Sequence, residues 1–295
     1  MPTIVNCSAI LELKFSVIIP TYNRSATLGR AIQSVLSQTL PAWEIIVVDD
    51  GSSDDTRKLV EKFSHVRYHY QANAGVCAAR NKGAEIATGD WLIFLDSDDE
   101  LINTSIEEFT KVIGLNPDVS LFLSGYQRVE NEGLTFIDLP AKSHGYTPAL
   151  SGTFTISRRD FLKVGKYDEA LAYSENMELF LRFSQFGINP KIVESKSLRY
   201  HQSSDGGSKN LRKKDEAISL ILQKHNDKLT ASDVWNLNQT LGVIQLRRRK
   251  FAKARRTFWK AISCSPTKFS TYLRLLIAYL PFISIKIYNS DSFTE

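Results

Sequence analysis

The sequence has few cysteines, and their spacing argues against several classes of protein. Only three occur in 295 residues, and Cys7, Cys77 and Cys264 are far apart, with no C-x-x-C pair. A domain held together by disulfides and a zinc site built on paired cysteines are therefore both disfavoured. Three widely separated thiols instead indicate a reducing compartment, so we expect a cytoplasmic protein.

Long apolar runs and an export signal are lacking as well. No run of about 18 apolar residues occurs, so the sequence predicts no membrane span. Glu12 and Lys14 interrupt the short apolar segment 10–17, which is therefore unlike a secretory signal. A hydrophobic content of 43% with 23% charged residues is typical of a globular protein.

Glycine-rich phosphate-binding motifs are missing too. The chain contains neither G-x-G-x-x-G after a predicted strand nor G-x-x-x-x-G-K-[ST]. A dinucleotide-dependent dehydrogenase and a P-loop NTPase are therefore disfavoured. No recognised nucleic-acid-binding module or stacking platform is found either, so we expect no nucleic-acid partner.

Strand-like and helix-like segments alternate over the first third of the chain. Strands are predicted at residues 15–20, 44–49, 66–70 and 91–96, and helices at 27–39, 54–63, 75–88 and 106–115. This alternation is typical of β-α-β units that build a parallel sheet. Further strands are predicted at residues 119–126, 134–139 and 154–157, and a helix at 175–186. Since the alternation loosens there, the predicted fold is α/β with a mixed, mainly parallel sheet flanked by helices.

Three carboxylates follow the apolar strand that begins at Trp91. Asp96, Asp98 and Asp99 lie within four positions, and carboxylates so close repel one another unless a cation lies between them. Ligands of open α/β sheets bind at the carboxyl ends of the strands. The sequence therefore predicts a cation site at this edge.

Two more polar loops follow parallel strands and should meet the acidic cluster at the same edge. The loop at residues 20–24 offers an aromatic ring and side-chain donors, and the loop at residues 49–54 offers carboxylates that accept from ribose hydroxyls or a base N–H. We expect side chains to bind a nucleotide here and a cation to hold its diphosphate. For Asp54 we expect a helix-capping role instead.

Five segments together resemble the family 2 glycosyltransferases with the GT-A (Rossmann-like) fold. They are residues 15–23 (FSVIIPTYN), 44–54 (EIIVVDDGSSD), 73–81 (NAGVCAARN), 89–99 (GDWLIFLDSDD) and 165–169 (GKYDE). The resemblance covers about residues 15–208. It implies transfer of a sugar, with inversion, from a nucleotide-sugar, most commonly a UDP-sugar. The acceptor would be a hydroxyl of a glycan or lipid-linked glycan in cell-surface polysaccharide synthesis.

The resemblance also implies roles for individual residues. In the donor site, Thr21 and Tyr22 would border the nucleoside, Asp50 would contact the base, Arg80 would lie near the diphosphate and Asp96 would face the ribose. Pro20, Asn23 and Ser97 belong to the same motifs and are included in the predicted donor site.

The implied metal is Mn²⁺ or Mg²⁺, and Asp98 matches the position that holds it. His201 ends a strand-like run where the family often has a histidine near the metal or diphosphate, so it is a candidate third ligand. A lone histidine is otherwise an ordinary polar residue of the surface or core, and that alternative stays open.

A carboxylate must also accept the proton of the attacking hydroxyl. The family usually supplies it from a Glu-Asp pair at the start of a helix, but here the second position is Asn176, and an amide is not a base. Glu175 is the first candidate and Glu178 the second, with a surface acid as the alternative for Glu178. Loss of the usual base also raises a different function, a nucleotide-sugar-binding protein without turnover.

The sequence predicts three regions, an N-terminal extension at 1–14, the glycosyltransferase domain at 15–208 and a helical region at 209–295. Between residues 208 and 256 we count thirteen Lys and Arg against four Asp and Glu. Such a basic face indicates an anionic partner or a solvated helical surface. Residues 241–266 resemble one tetratricopeptide-like helical hairpin. The apolar segment 272–288 indicates either a docking helix or peripheral contact with the inner face of the plasma membrane.

Overall fold

The computed structural model describes residues 13–129, 135–138, 149–201 and 210–288. The chain forms two compact units. The first consists of Met1–Ala170 and Glu175–Ser203, and the second of Leu171–Ser174 and Ser204–Glu295. The predicted boundary at residue 208 and nearly all of the predicted extension at 1–14 lie outside the described residues.

The first unit is a mixed sheet flanked by helices, as the sequence predicts. Its strands are β1 (Phe15–Thr21), β2 (Glu44–Asp49), β3 (Val66–Tyr70), β4 (Trp91–Phe94), β5 (Glu100–Leu101), β6 (Leu121–Val129), β7 (Thr135–Asp138), β8 (Phe154–Ser157) and β9 (Lys191–His201). Its helices are α1 (Ser25–Leu36), α2 (Thr56–Val60), α3 (Val76–Ile86), α4 (Ser105–Gly114), α5 (Arg158–Lys163) and α6 (Glu175–Gln185).

The sheet order is β3-β2-β1-β4-β8-β6-β9-β5, with β7 paired to β6. Strands β1 to β4 are parallel. Strand β8 is antiparallel to both β4 and β6, and β9 runs parallel to β6. The loops after β1, β2 and β4 therefore lie at one edge of the sheet, which confirms the predicted placement of the polar loops.

The central strands are apolar on both faces because helices cover both. Along β1, Val17 and Ile19 join one buried cluster with residues of α1 and α4. Ile18, between them, joins a second cluster with residues of α3, α5 and α6. Successive side chains of a strand point to opposite faces, so a continuous apolar run fills two cores at once.

Helix α3 lies very close to the sheet because Gly83 has no side chain. A Cβ on Gly83 would overlap Ile18 Cγ2 and lie 3.3 Å from Val48 Cγ2, in the middle of the second cluster. This approach matters for the site, because α3 also carries Arg80.

We expect Gly83→Ala to destabilise the protein by about 1–3 kcal/mol, the usual cost of forcing a methyl group into a packed core. Urea denaturation followed by circular dichroism measures it. The matched control is Gly114→Ala at the end of α4, where no atom lies within 4 Å of the added Cβ. Its effect should be neutral or slightly stabilising. Equal stability of the two variants would contradict the close packing of α3.

The second unit is helical. Its helices are α7 (Leu211–Lys224), α8 (Ala231–Arg247), α9 (Phe251–Cys264), α10 (Phe269–Tyr279) and α11 (Pro281–Ile287). The predicted hairpin is present as α8 and α9, and a Cβ on Gly242 would lie 2.6 Å from Phe258 Cζ, as expected of tightly packed helices. In the described part of the chain, no individual helix has the length and apolarity to cross a membrane, and α10 and α11 meet those criteria only as a pair bent by 116°.

Candidate active site

The loops after β1 and β2 are joined by Asn23. Its backbone N–H donates to Ser52 Oγ at 2.8 Å, and its side-chain oxygen accepts from the backbone N–H of Ser53 at 2.8 Å. Asn23 has a φ of 50°, a left-handed conformation that asparagine tolerates better than most residues. The predicted donor-site residue Asn23 therefore also has a structural role that the sequence did not reveal.

Asp54 strengthens the same connection. One carboxylate oxygen accepts from Thr56 N and the other from Ser25 N, which fixes the starts of α2 and α1. Partial burial raises the pKa of Asp54, but the hydrogen bonds from Thr56 and Ser25 outweigh it and bring the pKa to about 2. Asp54 was predicted as the N-cap, but that position is Asp55, whose side chain makes no capping hydrogen bond. Asp54 lies one residue earlier and accepts from the N–H of Thr56, where α2 begins.

Asp50 is buried and its carboxylate already has three donors. Gln71 Nε2 and Ala74 N donate to Oδ1 at 2.8 and 2.9 Å, and Gly75 N donates to Oδ2 at 2.8 Å. These bonds hold the turn that begins α3, where Gly75 has a φ of 96°. Asp50 therefore positions the start of α3, and its contact with the base stays a prediction.

Arg80, on α3, is the centre of the site. Its side chain is only 2% exposed and makes two ion pairs, from Nη2 to Asp96 Oδ1 at 2.6 Å and from Nη1 to Glu175 Oε1 at 2.8 Å. Nη2 also donates to Ser151 Oγ at 2.9 Å. Burial alone would lower the pKa of Arg80, but the two carboxylates raise it well above its ordinary value. The guanidinium thus joins the loop after β4 to the start of α6.

The neighbouring residues of α3 fix the segment that precedes α6. The guanidinium of Arg80 lies over the ring of Tyr167, 5.2 Å from its centroid. Asn81 accepts from Tyr167 N at 2.9 Å and donates to Tyr167 O and Glu169 Oε1, each at 2.9 Å. The motifs NAGVCAARN and GKYDE, far apart in sequence, are therefore in direct contact.

The acidic cluster remains electrostatically unfavourable in the folded chain. Burial and the charge of Asp96 raise the pKa of Asp98, and the same causes raise the pKa of Asp99 well above its ordinary value. Asp96 is 38% exposed and has Arg80 as a partner. A divalent cation would relieve the remaining repulsion, so the donor set of this loop fits a hard ion.

No group of three or more His, Cys, Asp and Glu is placed to hold a metal ion anywhere in the described ranges. Mg²⁺ and similar ions often bind through one or two carboxylates and complete their coordination with substrate phosphates, so Asp98 still fits this role. His201 is not placed as a third ligand, because its Nε2 lies 2.6 Å from Glu100 Oε1. Its backbone N–H donates to Asp99 Oδ1 at 2.8 Å, which orders the acidic loop instead.

The two candidate bases lie in different environments. Glu175 is 17% exposed and paired with Arg80 at the donor site. Glu178 is 2% exposed, and both of its oxygens accept from Arg182 at 2.7 Å. Arg182 also donates to the carbonyls of Val164 and Lys166. Glu178 is therefore not the surface acid considered from the sequence, and its bidentate pair makes it a poor candidate base.

Asn176 has a structural reason to be an amide. Its Oδ1 accepts from the hydroxyl of Tyr167 at 2.8 Å, while its Nδ2 donates to the carbonyl of Ala149 at 3.0 Å. An aspartate could accept the first bond but could not donate the second. Asn176, which replaces the acid of the family pattern, therefore stabilises the start of α6.

The remaining predicted donor residues follow β1 and β4. Pro20 and Thr21 are buried at the end of β1, Tyr22 is 50% exposed beside them, and Ser97 is buried between Asp96 and Asp98. The buried hydroxyl of Thr21 has no hydrogen-bond partner in the described part of the chain. An exposed ring next to a buried polar group is consistent with the predicted nucleoside contact.

Comparison with known proteins identifies the family. Residues 16–165 match the family model described as glycosyl transferase family 2, which is half of the chain. The chain belongs to glycosyltransferase family 2. An uncharacterized glycosyltransferase of Haemophilus influenzae is 31% identical over 233 residues, covering 71% of this chain and 76% of that protein. The predicted enzyme class is thus confirmed.

Two further relatives carry more specific names. The Escherichia coli protein UDP-Glc:alpha-D-GlcNAc-diphosphoundecaprenol beta-1,3-glucosyltransferase WfgD is 37% identical over 40% of this chain and 48% of its own length. The crystal structure of S. aureus TarS 1-349 in complex with UDP-GlcNAc has a TM-score of 0.65 at 20% identity, covering 95% of this chain and 91% of that one. The GT-A fold is confirmed. This glycosyltransferase spans less than half the length of several curated relatives that it matches.

Sequence reasoning missed several residues of this glycosyltransferase site. Ser151, Tyr167 and Asn81 surround Arg80, yet only the last two lie in recognisable motifs. The sequence did offer one signal for Asn81, its position next to Arg80. The side chains of neighbouring helical residues point in different directions, so they can contact two different segments. Ser151 carried no signal, since a single serine in a loop is common.

We expect Arg80→Met to destabilise the glycosyltransferase by about 3 kcal/mol, because it leaves Asp96 and Glu175 without their shared cation. This is the lower end of the range for broken buried pairs, since Asp96 is partly exposed. The control is Arg57→Met, whose pair with Glu61 is exposed and which should change stability by less than about 0.5 kcal/mol. Urea denaturation of both variants tests this. Similar losses in the two would contradict the central role of Arg80.

Proposed function

We propose that this glycosyltransferase transfers a sugar, with inversion, from a UDP-sugar to a hydroxyl of a glycan or lipid-linked glycan. The observation that carries the proposal is the single guanidinium of Arg80, which pairs with Asp96 on the donor side and with Glu175, the candidate base. One side chain therefore joins the residue on the proposed donor side to the residue proposed to activate the acceptor. The names of the relatives support a UDP-sugar donor and a role in cell-surface polysaccharide synthesis.

In the proposed reaction the acceptor oxygen forms a bond to the anomeric carbon as the bond to the diphosphate oxygen breaks. Glu175 takes the hydroxyl proton, and the nucleoside diphosphate departs on the opposite face. Glu175 Oε1 is held by Arg80, whereas Oε2 accepts no hydrogen bond from the described residues and would receive the proton. Asp98 would hold Mn²⁺ or Mg²⁺, whose charge, when bound, offsets that of the diphosphate.

We also propose that the reaction takes place in the cytoplasm, at the inner face of the plasma membrane. Cys77 and Cys264 are free thiols, as expected of a reducing compartment. A diphosphoundecaprenol-linked acceptor, such as the name of the E. coli relative describes, would be presented at a membrane surface.

The donor and the metal are tested by isothermal titration with UDP and with GDP, each with and without Mn²⁺. We expect UDP to bind only with the metal, and Asp98→Ala to abolish that binding. Since the pKa of Asp98 is raised, protons compete with the metal, so the affinity should fall as the solution is made more acidic. His201→Ala should retain the Mn²⁺ requirement. Metal-independent UDP binding, or tighter binding of GDP, would contradict the proposed donor chemistry.

The base is tested by Glu175→Gln, which should lower kcat by about 10²- to 10⁴-fold while UDP affinity changes little. Glu178→Gln is the control. It should lower stability by weakening the pair with Arg182 but leave kcat of the folded enzyme near that of the wild type. If the wild-type protein binds a UDP-sugar and shows no transfer or hydrolysis, a binding protein without turnover is the correct function. The presence of Asn176 in place of the usual acid favours that second candidate.

A further inference from the structure

Helix α10 has an unusual distribution of side chains, with large apolar residues on its exposed side. Phe269, Tyr272, Leu273, Leu276 and Tyr279 recur at intervals of three and four residues, so they share one face of the helix. Phe269 is 86% exposed, and each of the others is at least 40% exposed. An exposed apolar face of this size usually marks a surface that binds another molecule.

The opposite face of α10 is buried and holds the helix in this orientation. Leu275 and Ala278 pack into an apolar cluster with residues of α8 and α9, and a polar contact with α8 lies beside them. Thr271 is completely buried, and its Oγ1 accepts from Trp235 Nε1 at 3.0 Å and from Gln239 Nε2 at 2.6 Å. Arg274 Nη1 donates to Gln239 Oε1 at 2.5 Å. Rotating the apolar face inward would break these three hydrogen bonds. The packing of α10 against α8 therefore holds α10 with its large apolar side chains exposed.

Helix α11 extends the same pattern after the bend. Phe282 is 91% exposed and the isoleucines 283, 285 and 287 are also exposed, while Ser284 is completely buried. We call the exposed apolar residues of the two helices the apolar surface. It consists of Phe269, Tyr272, Leu273, Leu276, Tyr279, Leu280, Phe282, Ile283, Ile285 and Ile287.

Positive charge lies next to the apolar surface on α9. The guanidinium of Arg255 lies 4.8 Å from the centroid of the Tyr279 ring, so this side of α9 is beside α10. Trp259 follows Arg255 by one helical turn and is 54% exposed. Lys253, Arg256 and Lys260 are exposed on the same helix. Residues 234–290 contain eleven Lys and Arg and no Asp or Glu.

We propose that the apolar surface binds to an anionic lipid bilayer, with its aromatic and aliphatic side chains among the lipid headgroups and upper acyl chains. The basic residues of α9 would bind lipid phosphates at the same time. A surface that combines exposed aromatic residues with Lys and Arg matches a membrane interface in both respects. An acidic polymer would match the charge alone. A second copy of the chain would match the apolar residues but would bring two basic surfaces together.

This surface lies outside the donor site and does not depend on which sugar the enzyme transfers. Its functional consequence would be to hold the enzyme where a lipid-linked acceptor is located. A glycosyltransferase that is anchored in this way meets such an acceptor by diffusion in two dimensions.

The test is sedimentation of the full chain with vesicles of phosphatidylcholine alone, or of phosphatidylglycerol and phosphatidylcholine in equal parts. We expect binding to the anionic vesicles that weakens at high salt, because exposed charges are screened. Phe269→Ser combined with Phe282→Ser should weaken binding by at least about tenfold, since each ring loses its contact with lipid. Both residues are exposed, so the variant should fold. Leu115→Ser is the control, because Leu115 is an exposed apolar residue of the first unit, and it should bind like the wild type.

A second variant tests the charges, and two other measurements distinguish the alternatives. Reversal of Lys253, Arg256 and Lys260 to Glu should reduce both the affinity and its salt dependence, whereas Lys62→Glu should not. Fluorescence of Trp259, isolated by comparison with Trp259→Phe, should shift to the blue on anionic vesicles. Equal binding to neutral vesicles, or none, would overturn the proposal. So would a dimer, measured by light scattering without lipid, that the double Phe variant converts to monomers.

Every lipid measurement is made without donor or acceptor, so its result is separate from that of the proposed transferase activity. The double Phe variant should also retain metal-dependent UDP binding, because neither residue belongs to the donor site. Loss of UDP binding together with vesicle binding would mean that the two rings support the fold, which would overturn their assignment as lipid contacts.

Discussion

The ion pairs of Arg80 are the constraint on which the site depends. A buried guanidinium is costly unless carboxylates surround it, and here Asp96 and Glu175 supply them from two segments that are distant in sequence. Removing any one of the three would leave a buried or half-buried charge without its partner. The geometry of the loop after β4 and that of the start of α6 are therefore coupled, as the proposed reaction between two bound substrates requires.

The acidic loop has the opposite balance, since burial and the charge of Asp96 outweigh the attraction of Arg24 and Arg30 at Asp98. Asp98 and Asp99 have raised pKa values because they are buried next to Asp96, so folding brings together charges that the protein alone does not neutralise. The loop is nevertheless held in this conformation, because the backbone N–H of His201 donates to Asp99 Oδ1 and that of Asp99 donates to the carbonyl of Asp96. A cation that arrives with the diphosphate would restore the balance, which is the role proposed for the metal at Asp98.

Sequence reasoning succeeded where the determining pattern is local. The strands β2, β3 and β8 were predicted with the observed bounds. Strand β2 is a buried apolar run, whereas β3 (VRYHY) is only partly buried and its aromatic and β-branched residues indicated a strand. It failed to predict β5, which has only two residues and forms by pairing with β9. The site residues show the same division. The sequence motifs predicted which residues form the site, but they did not predict which residues form hydrogen bonds and ion pairs with them. Glu178 and Arg182 form an i,i+4 pair that the sequence could have shown, but their burial depends on the carbonyls of Val164 and Lys166, which no local pattern encodes.

In the helical unit, the residue pattern of a helix does not determine which of its faces is buried. An amphipathic sequence usually places its apolar face inward, and α10 would conventionally be read in that way. Two sets of contacts fix the orientation: Leu275 and Ala278 are buried in an apolar cluster with residues of α8 and α9, and the buried hydroxyl of Thr271 accepts hydrogen bonds from two side chains of α8. Those contacts exist only in the folded unit, so the sequence pattern of α10 does not reveal them. A chain that exposes its aromatic residues to water without a partner would be prone to aggregation, so the exposed rings and the basic residues of α9 are explained together if a lipid surface covers them.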